Sequence, residues 1–507
     1  MSAQESGEGV VRVAVIGAGP AGFYVAGALL RHERHRFAVD LFERLPTPWG
    51  LVRAGVAPDH QNIKAVARAF ERIARMPGFR FVGNVELGTD VELAALREAY
   101  DAVVIAIGAA VDRRLGIPGE ELAGSHGAGE FVGWYNAHPD YAHLDFDLSH
   151  ERAVVIGNGN VAADVARILL TPAERLAATD ISDRALARLR ESAIREVVIV
   201  GRRGPAEAAF TNPELRELGA IPGCAVVVAR EELELEEPSR LALERSADAT
   251  RRRNLATLRE FAERGAAGEG RRLRLLFRRS PVRLLGVERV EAIELERNEL
   301  VAGSDGRVVA RPTGQRERLA CGLVLRAIGY RTLPIAGLPF DAEHGVVPNL
   351  GGRVVDPAGE GQPVPGLYVA GWAKRGPTGV IGTNKQDAQE TVAALLEDLE
   401  AGVLPRAAGL SRDPLESLSL AGAAIVDYAG WLRIDTVERE RGRSAGRPRV
   451  KLTTRDELLR HALGGVNDHA VGDRDDRLLA DRIERVRIEP ALKPRSSLGN
   501  SSTRDQP

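Results

Sequence analysis

Cysteine is nearly absent from this chain: Cys224 and Cys321 are the only two in 507 residues. Two distant thiols exclude a disulfide framework, a CxxC redox pair and an iron–sulfur ligand set carried by the chain itself. Lysine is scarce too, five against 64 arginines, an imbalance that reads as genomic composition and not as a binding surface. Basic and acidic residues nearly cancel, 69 against 71, for a formal net charge of −2. General affinity for nucleic acid needs many uncompensated cations and finds no support here. No apolar run reaches the ~18 residues of a membrane span. The first ten residues are polar and acidic, without the apolar centre of a secretion signal or the Arg-rich amphipathic helix of an organelle signal. The expectation is a cytoplasmic protein of roughly three domain lengths with large cores.

What the chain does contain is one kind of turn, twice. VRVAVIGAGPAGFYVAGALL carries Gly17, Gly19 and Gly22, and RAVVIGNGNVAADVARILL carries Gly157, Gly159 and, in the third place, Ala162. Each follows a β-branched run (Val11 to Ile16, Val154 to Ile156) and opens a helix, the context that makes GxGxxG a dinucleotide site. Glycine is needed because the turn takes unusual φ values and because a pyrophosphate must come close to the backbone, where helix N–H groups and the helix dipole receive its charge.

The strands that follow the turns differ. In FAVDLFERL the strand ends at Glu43, an acid placed to bind adenosine ribose hydroxyls. REVVIVGRRG ends in Arg202 and Arg203, where an acid would repel a 2′-phosphate and paired guanidinium forks bind one, so the second site favours NADP. The interval from Gly157 to Arg202 is longer than usual, and AERLAATDISDRALARLRES reads as an inserted helical segment.

Two further apolar runs, Tyr100 to Ala110 and Cys321 to Thr332, both contain AIG and bracket the second unit, as the exit and re-entry of an inserted domain must. The reading is therefore α/β, two Rossmann-like dinucleotide-binding domains, the NADP domain inserted into the FAD domain. Its boundaries are a polar tail over 1–10, the first part of the FAD domain over 11–110 and the NADP domain over 111–326. The second part of the FAD domain, with a C-terminal extension, spans 327–490, and a disordered tail spans 491–507. Within the inserted domain, Arg230 to Arg311 reads as short strands with a helix near Asn254 to Arg264. After it, GLYVAGWAKRGPTGVIGTNKQDAQETVAALL gives a strand, a glycine-rich loop and a helix, a loop able to bring N–H groups to a flavin.

ERLPTPWGLVRAGVAPDHQNIK (Glu43 to Lys64), GNGNVAADVARIL, GRRGPAEAAFTNPELREL and GWAKRGPTGVIGTNK together resemble the adrenodoxin reductase family, ferredoxin–NADP reductases with two dinucleotide-binding domains. The likeness runs from about residue 10 to 460, and Trp372 follows Gly371 as in this family, where many other flavoproteins place Asp. The resemblance implies non-covalent FAD, NADP(H) as coenzyme and a small acidic iron–sulfur protein, a ferredoxin, as electron acceptor. The chain would act as a monomer, supplying cytochrome P450 or similar pathways. It implies no metal.

By the same matching, FAD is met by Gly17, Gly19, Pro20, Ala21, Gly22, Glu43, Leu51, Leu87, Trp372, Gly379, Val380 and Ile381. NADP is met by Arg113, Asn158, Gly159, Asn160, Val161, Arg202, Arg203 and Glu214, with Gly379 near the nicotinamide. His60 and Glu214 are the catalytic pair, Glu214 holding the carboxamide and His60 pairing with it or relaying a proton. By residue type alone, His60 is equally a cap for a helix beginning near Gln61, Glu214 a first-turn acid and Trp372 a core aromatic. Whether Arg113 or Arg114 faces the ligand stays open. Arg251 to Arg253 and the run Arg271 to Ser280 are candidate docking cations, or simply solvated faces. A thioredoxin reductase is opposed by the missing CxxC and a glutamate synthase small subunit by the missing cysteine-rich N-terminal region. A flavin monooxygenase and a nucleotide-binding sensor without turnover remain as alternatives.

Overall fold

The computed structural model describes residues 9–265, 270–359, 361–405, 413–420 and 422–464. The tail expected over 491–507 and residues 1–8 of the N-terminal one lie outside the described residues. Val11–Ile16 is the centre of a seven-stranded sheet, parallel to Phe37–Glu43 on one side and to Ala102–Ile105 on the other. Phe79–Gly83 extends the first side, and Pro363–Val369 extends the second, also in parallel, before two short antiparallel strands, Arg353–Val355 and Asn349–Leu350, end the sheet. Alternate residues of the central strand serve different cores: Val13 and Val15 pack with Val39 and Val104, while Ala14 and Ile16 pack with Phe42 and Ile105. This two-sided burial is why the strand reads as an unbroken apolar run.

The second sheet is parallel throughout, in the order Ser125–Gly127, Leu323–Arg326, Arg152–Ile156, Glu196–Val200, Arg271–Leu276, Cys224–Val227. The two sheets are thus nested in sequence, since the first takes strands from both before and after the second. The long apolar runs expected at the passages are each cut short, to Ala102–Ile105 and Leu323–Arg326. Gly108 (φ 72°) and Gly329 (φ 101°) break them, and beyond the breaks Val111–Asp112 and Tyr330–Arg331 pair antiparallel, so exit and re-entry lie side by side. The segment after the second turn forms two helices, Ala173–Leu176 and Asp183–Arg190.

Two expectations need correction. The charged region up to Arg311 was expected to form short strands, but Ala292–Ala302 and Val308–Ala320 are 11 and 13 residues long, in a three-stranded antiparallel sheet with Arg279–Leu285. Its charges are cross-strand partners: Glu294 meets Arg283 and Arg316, and Glu299 meets Arg311. The helix expected near Asn254 begins earlier, at Ala249, because Asp248 accepts the Thr250 N–H and caps it.

Near the C-terminal end of the described chain, residues 447–451 cross from one dinucleotide half to the other. Arg447 donates to the Thr179 and Ile181 carbonyls. Lys451, buried, donates to the carbonyls of Asn136 and Arg53 and lies 3.2 Å from Asp180, which also accepts from Lys64 at 2.7 and 2.8 Å. Burial raises the Asp180 carboxyl, but Lys451 and Lys64 outweigh it and hold the group down at about 2. Among the described residues no helix is long and apolar enough to cross a membrane.

Candidate functional site at the two glycine turns

Gly17 leaves the central strand with φ 109°, and a Cβ on it would lie 2.5 Å from the Ala106 carbonyl oxygen. A Cβ on Gly22 would lie 2.0 Å from the Gly17 oxygen, so this turn closes only with both glycines. Gly19 is the N-cap of Pro20–Leu30 and no side chain caps the helix, which leaves its amides and the positive end of its dipole open toward the strand ends.

Other parts of the chain gather at this turn. Gly50 comes so close that its Cβ would sit 2.9 Å from Gly19 Cα, which places Leu51 beside the turn with 45% of its surface exposed. A Cβ on Gly371 would lie 2.7 Å from Ala21 Cβ, bringing the loop after the strand Pro363–Val369 onto the same helix. In that loop Trp372 is half-buried and stacks on Tyr330 at 5.9 Å. Gly379 takes φ 80°, Val380 is 56% exposed and Ile381 is half-buried, just ahead of the uncapped start of the helix Thr383–Glu400. Leu87 behaves differently: its side chain is buried in the core with Ile16 and Phe42. Glu43 accepts from the Ala18 N–H at 2.9 Å and the Leu45 N–H at 3.1 Å, and burial pushes its carboxyl up while Arg44 and these amides pull it down.

The second turn repeats the first. Gly157 has φ 123° and its Cβ would lie 2.2 Å from the Ala327 oxygen, and Gly159 starts the uncapped helix Asn160–Leu170. Asn158 accepts the Ala209 N–H through its carbonyl and Asn160 the Thr211 N–H through its side chain, while Val161 packs against the core. Arg202 and Arg203 follow Gly201, their carbonyls fixed by the Asn298 amide and the Arg278 N–H. Among the described residues neither has a carboxylate at ion-pair distance. Burial, then the neighbouring Arg202 charge, lower the Arg203 pKa against the pull of Glu207. Arg114 pairs with Glu120 and Glu121, whereas Arg113 donates, among the described residues, only to the carbonyls of Tyr330 and His344. Arg113 therefore keeps its charge available.

The docking cations divide as well. Arg271–Leu276 is a strand inside the second sheet, and Arg278 and Arg279 are buried on Glu236, Glu232 and Glu317. Arg278 and Arg279 are structural ion pairs, which corrects the expectation for these two, while Arg272 on the strand is exposed.

Between the two turns the halves meet through charges. His60 sits at the N-cap position of Gln61–Lys64 but does not cap it with its side chain. Its Nε2 lies 2.7 Å from a Glu217 oxygen and its Nδ1 3.9 Å from Asp164. Asp164 pairs with Arg167 at 2.6 Å, and Arg167 also holds Asp59. Glu214 lies in the first turn of Asn212–Leu218 behind Pro213, with one carboxylate oxygen buried and lacking a hydrogen-bond partner. Burial first, then repulsion from Asp164, pushes its pKa up to about 7. The ligating atoms of His60, Glu214 and Glu217 all lie within 4.8 Å of one another. Sequence reasoning named His60 and Glu214 and missed Glu217, Asp164 and Arg167. The spacing of Glu217, three residues after Glu214 and so on the same helix face, was the available signal.

Two sheets built around parallel strands, each with an uncapped glycine turn, one ending its next strand in an acid and the other in paired arginines, define a pyridine nucleotide-dependent oxidoreductase with two dinucleotide folds. Residues 11–203 match the pyridine nucleotide-disulphide oxidoreductase family. Over 464 residues the chain is 48% identical to the NADPH-ferredoxin reductase FprA of Mycobacterium tuberculosis, covering 89% of this chain and 99% of that protein. It is 43% identical over 461 residues to the mitochondrial NADPH:adrenodoxin oxidoreductase of Arabidopsis thaliana, covering 89% and 95%. The solved structure of Mycobacterium tuberculosis FprA in complex with NADPH is 48% identical, with a TM-score of 0.84 and coverage of 90% and 100%. The chain belongs to the family of NADPH-ferredoxin and adrenodoxin reductases, and it is an oxidoreductase. Its cysteines, Cys224 and Cys321, are free.

Proposed function

We propose that this chain is a ferredoxin–NADP reductase that moves electrons from NADPH through FAD to a small iron–sulfur protein. One observation carries the reading: two copies of one turn end in opposite charges, Glu43 in the first and Arg202 with Arg203 in the second. The residues at the first turn fit FAD. Gly17, Gly22, Gly50 and Gly371 let neighbouring chain segments close tightly around the turn, Gly19 faces open space, uncapped helix amides stand ready for a pyrophosphate, and Leu51 and Val380 expose apolar surface that a bound ring system would cover. FAD supplies two-electron acceptance from a nicotinamide and one-electron release to an iron–sulfur centre.

The chain's own residues do the positioning. Arg202, Arg203 and Arg113 hold the phosphates of NADPH, with Asn158, Gly159, Asn160 and Val161 forming the cradle. Glu214 holds the carboxamide, a group with both a donor and an acceptor, and a carboxyl that titrates near neutrality answers both. His60 closes the site from the other half. We take the NADP part as residues 111–326, set between 11–110 and 327–490. The partner is an acidic ferredoxin, since opposite charge speeds encounter with local cations such as Arg251 to Arg253. The protein works as a cytoplasmic monomer, upstream of a cytochrome P450 or a similar acceptor.

The decisive measurement is the visible spectrum of the purified protein. Bound, non-covalent FAD that NADPH bleaches is expected; a colourless protein that takes up no FAD overturns the reading. NADPH consumption should then follow added ferredoxin. Consumption that follows an organic substrate and O₂ instead would point to a monooxygenase.

A further inference from the structure

Gly201, Arg202 and Arg203 run on from the strand Glu196–Val200 beside the second turn, where a Cβ on Gly201 would lie 2.5 Å from the Asn158 side-chain nitrogen. Three consecutive carbonyls of this loop are held from the antiparallel sheet. The Gly201 carbonyl accepts from the Arg279 N–H at 3.0 Å and the Arg203 carbonyl from the Arg278 N–H at 2.9 Å. Between them, the Arg202 carbonyl accepts from the Asn298 side-chain amide at 2.9 Å, and among the described residues no backbone N–H reaches it. The outer two bonds come from the main chain, so only the middle one depends on which side chain is present. We infer that Asn298 is a positioning residue for coenzyme choice: by holding the peptide between Arg202 and Arg203, it sets how the two guanidinium stems stand relative to each other and lets both reach one 2′-phosphate. This rests on the proposed function above and deepens its account of the second site.

The surroundings of Asn298 fit that role. It lies 96 residues beyond Arg202, in the strand Ala292–Ala302, and is 2% exposed. The pairing of that strand with Val308–Ala320 slips at this point, passing from Glu296 opposite Arg316 to Asn298 opposite Pro312, an irregularity of the kind that re-aims a side chain. The side-chain nitrogen of Asn298 also donates to Ser280 Oγ at 2.9 Å, and its backbone N–H donates to the Arg278 carbonyl at 2.8 Å, so the amide is fixed at both ends. Its Oδ1 is buried without a hydrogen-bond partner, which leaves the side chain acting on its neighbours only as a donor. The peptide it holds carries ψ of Arg202 and φ of Arg203, the two soft dihedrals between those side chains. Planar guanidinium forks need direction as well as charge to bind a phosphate, and among the described residues neither arginine is held in an ion pair that would orient it. Glu43, by contrast, takes its direction locally, from the Ala18 and Leu45 amides.

The test follows flavin reduction by NADPH and by NADH in the flavin-loaded protein, with the flavin spectrum as a check on folding. NADH lacks the 2′-phosphate and so reports on everything in the site except the contact at issue. In Asn298→Ala the KM for NADPH should rise about tenfold with kcat held, while the kinetics with NADH stay within about twofold of the parent. Calorimetry should repeat the split with fragments: 2′,5′-ADP weakened and AMP unchanged. Asn298→Leu fills the same space without the donor and should behave alike, which carries the test if the smaller side chain costs the protein its flavin. In an Arg202→Ala, Arg203→Ala background, Asn298→Ala should add nothing to the loss of preference, because the residue acts through those two side chains. Equal weakening of both coenzymes, no change in either, an undiminished effect in the double-arginine background, or loss of flavin in both Asn298 variants each overturn the proposal. Failure of the underlying reading looks different: the parent would show no preference for NADPH, or the double-arginine variant would keep it.

Discussion

The two glycine turns are near copies in backbone and opposites in charge. Gly17 and Gly157 bend at φ 109° and 123°, each against the carbonyl of a neighbouring strand end, and each helix begins on a second glycine without a side-chain cap. That shared geometry suits a pyrophosphate and says nothing about which dinucleotide it belongs to. The choice is made a strand later. Glu43, tied to the Ala18 and Leu45 amides, faces the turn with an acceptor, whereas Arg202 and Arg203 face theirs with donors that, among the described residues, are held in no ion pair. Recognition is thus split between a backbone cradle common to both halves and a few charged side chains that differ.

The comparison breaks most completely at the glycines. Gly17→Val should yield protein without flavin, and Gly157→Val should yield yellow protein that no longer binds NADP⁺, because each Cβ would enter the carbonyl it now clears. Absorbance at the flavin bands and NADP⁺ titration separate the two, and a Gly157→Val protein that binds NADP⁺ normally would show that the second turn is not a cradle.

Next in size is the charge pair. Each guanidinium contact to a 2′-phosphate contributes about 1.5 to 3 kcal/mol, so Arg202→Ala with Arg203→Ala should reduce the preference for NADPH over NADH by on the order of 10²-fold or more. The loss should appear mainly in KM for NADPH. Unchanged discrimination would mean that the phosphate is read elsewhere.

A comparable effect, on stability instead of binding, is expected where the halves are joined. Asp180→Asn leaves two buried ammonium groups facing an amide and should cost about 3 to 5 kcal/mol in chemical unfolding, since removing one partner strands the others. With its pKa held at about 2, below that of the unfolded chain, Asp180 contributes its stability in full above roughly pH 4 and loses it as the pH falls through about 2. A loss below about 1 kcal/mol would show that Arg447 and its carbonyls hold the crossing unaided.

The smallest effect belongs to Glu43→Gln, which keeps an oxygen for one amide and removes the charge. Flavin retention should weaken only severalfold, by about 1 kcal/mol. The flavin-free protein should gain stability at neutral pH, because a carboxyl whose folded pKa is raised costs stability once the pH exceeds it. Equal unfolding profiles for parent and variant across pH would contradict that assignment.

Local signals made much of this legible in the sequence. The turns, the residues ending the next strands and the nesting of one sheet within the other follow from glycine spacing and β-branched runs. The charged stretches misled. Arg278 and Arg279 look like surface cations because their acids, Glu232, Glu236 and Glu317, lie far along the chain. In Arg271–Leu276 the alternation of arginine and leucine is a strand's, with Leu273 and Leu275 buried in the sheet. His60 and Glu214 could be named from motifs, but the meeting of His60 with Glu217 exists only once the chain has folded.

The scarcity of lysine has a use at the bench. Among the described residues there are four: Lys64 and Lys451 are enclosed around Asp180, and Lys374 is buried on Asp387 and Glu390. Lys385 alone has an exposed side chain, in the first turn of the helix Thr383–Glu400 and close behind the Gly379 loop. An amine-reactive dye, cross-linker or immobilisation surface therefore meets the described part of the molecule at one point, beside the Gly379 loop. On the described part such reagents report on the Gly379 loop, while Lys493 and the α-amino group, outside the described residues, offer further amines.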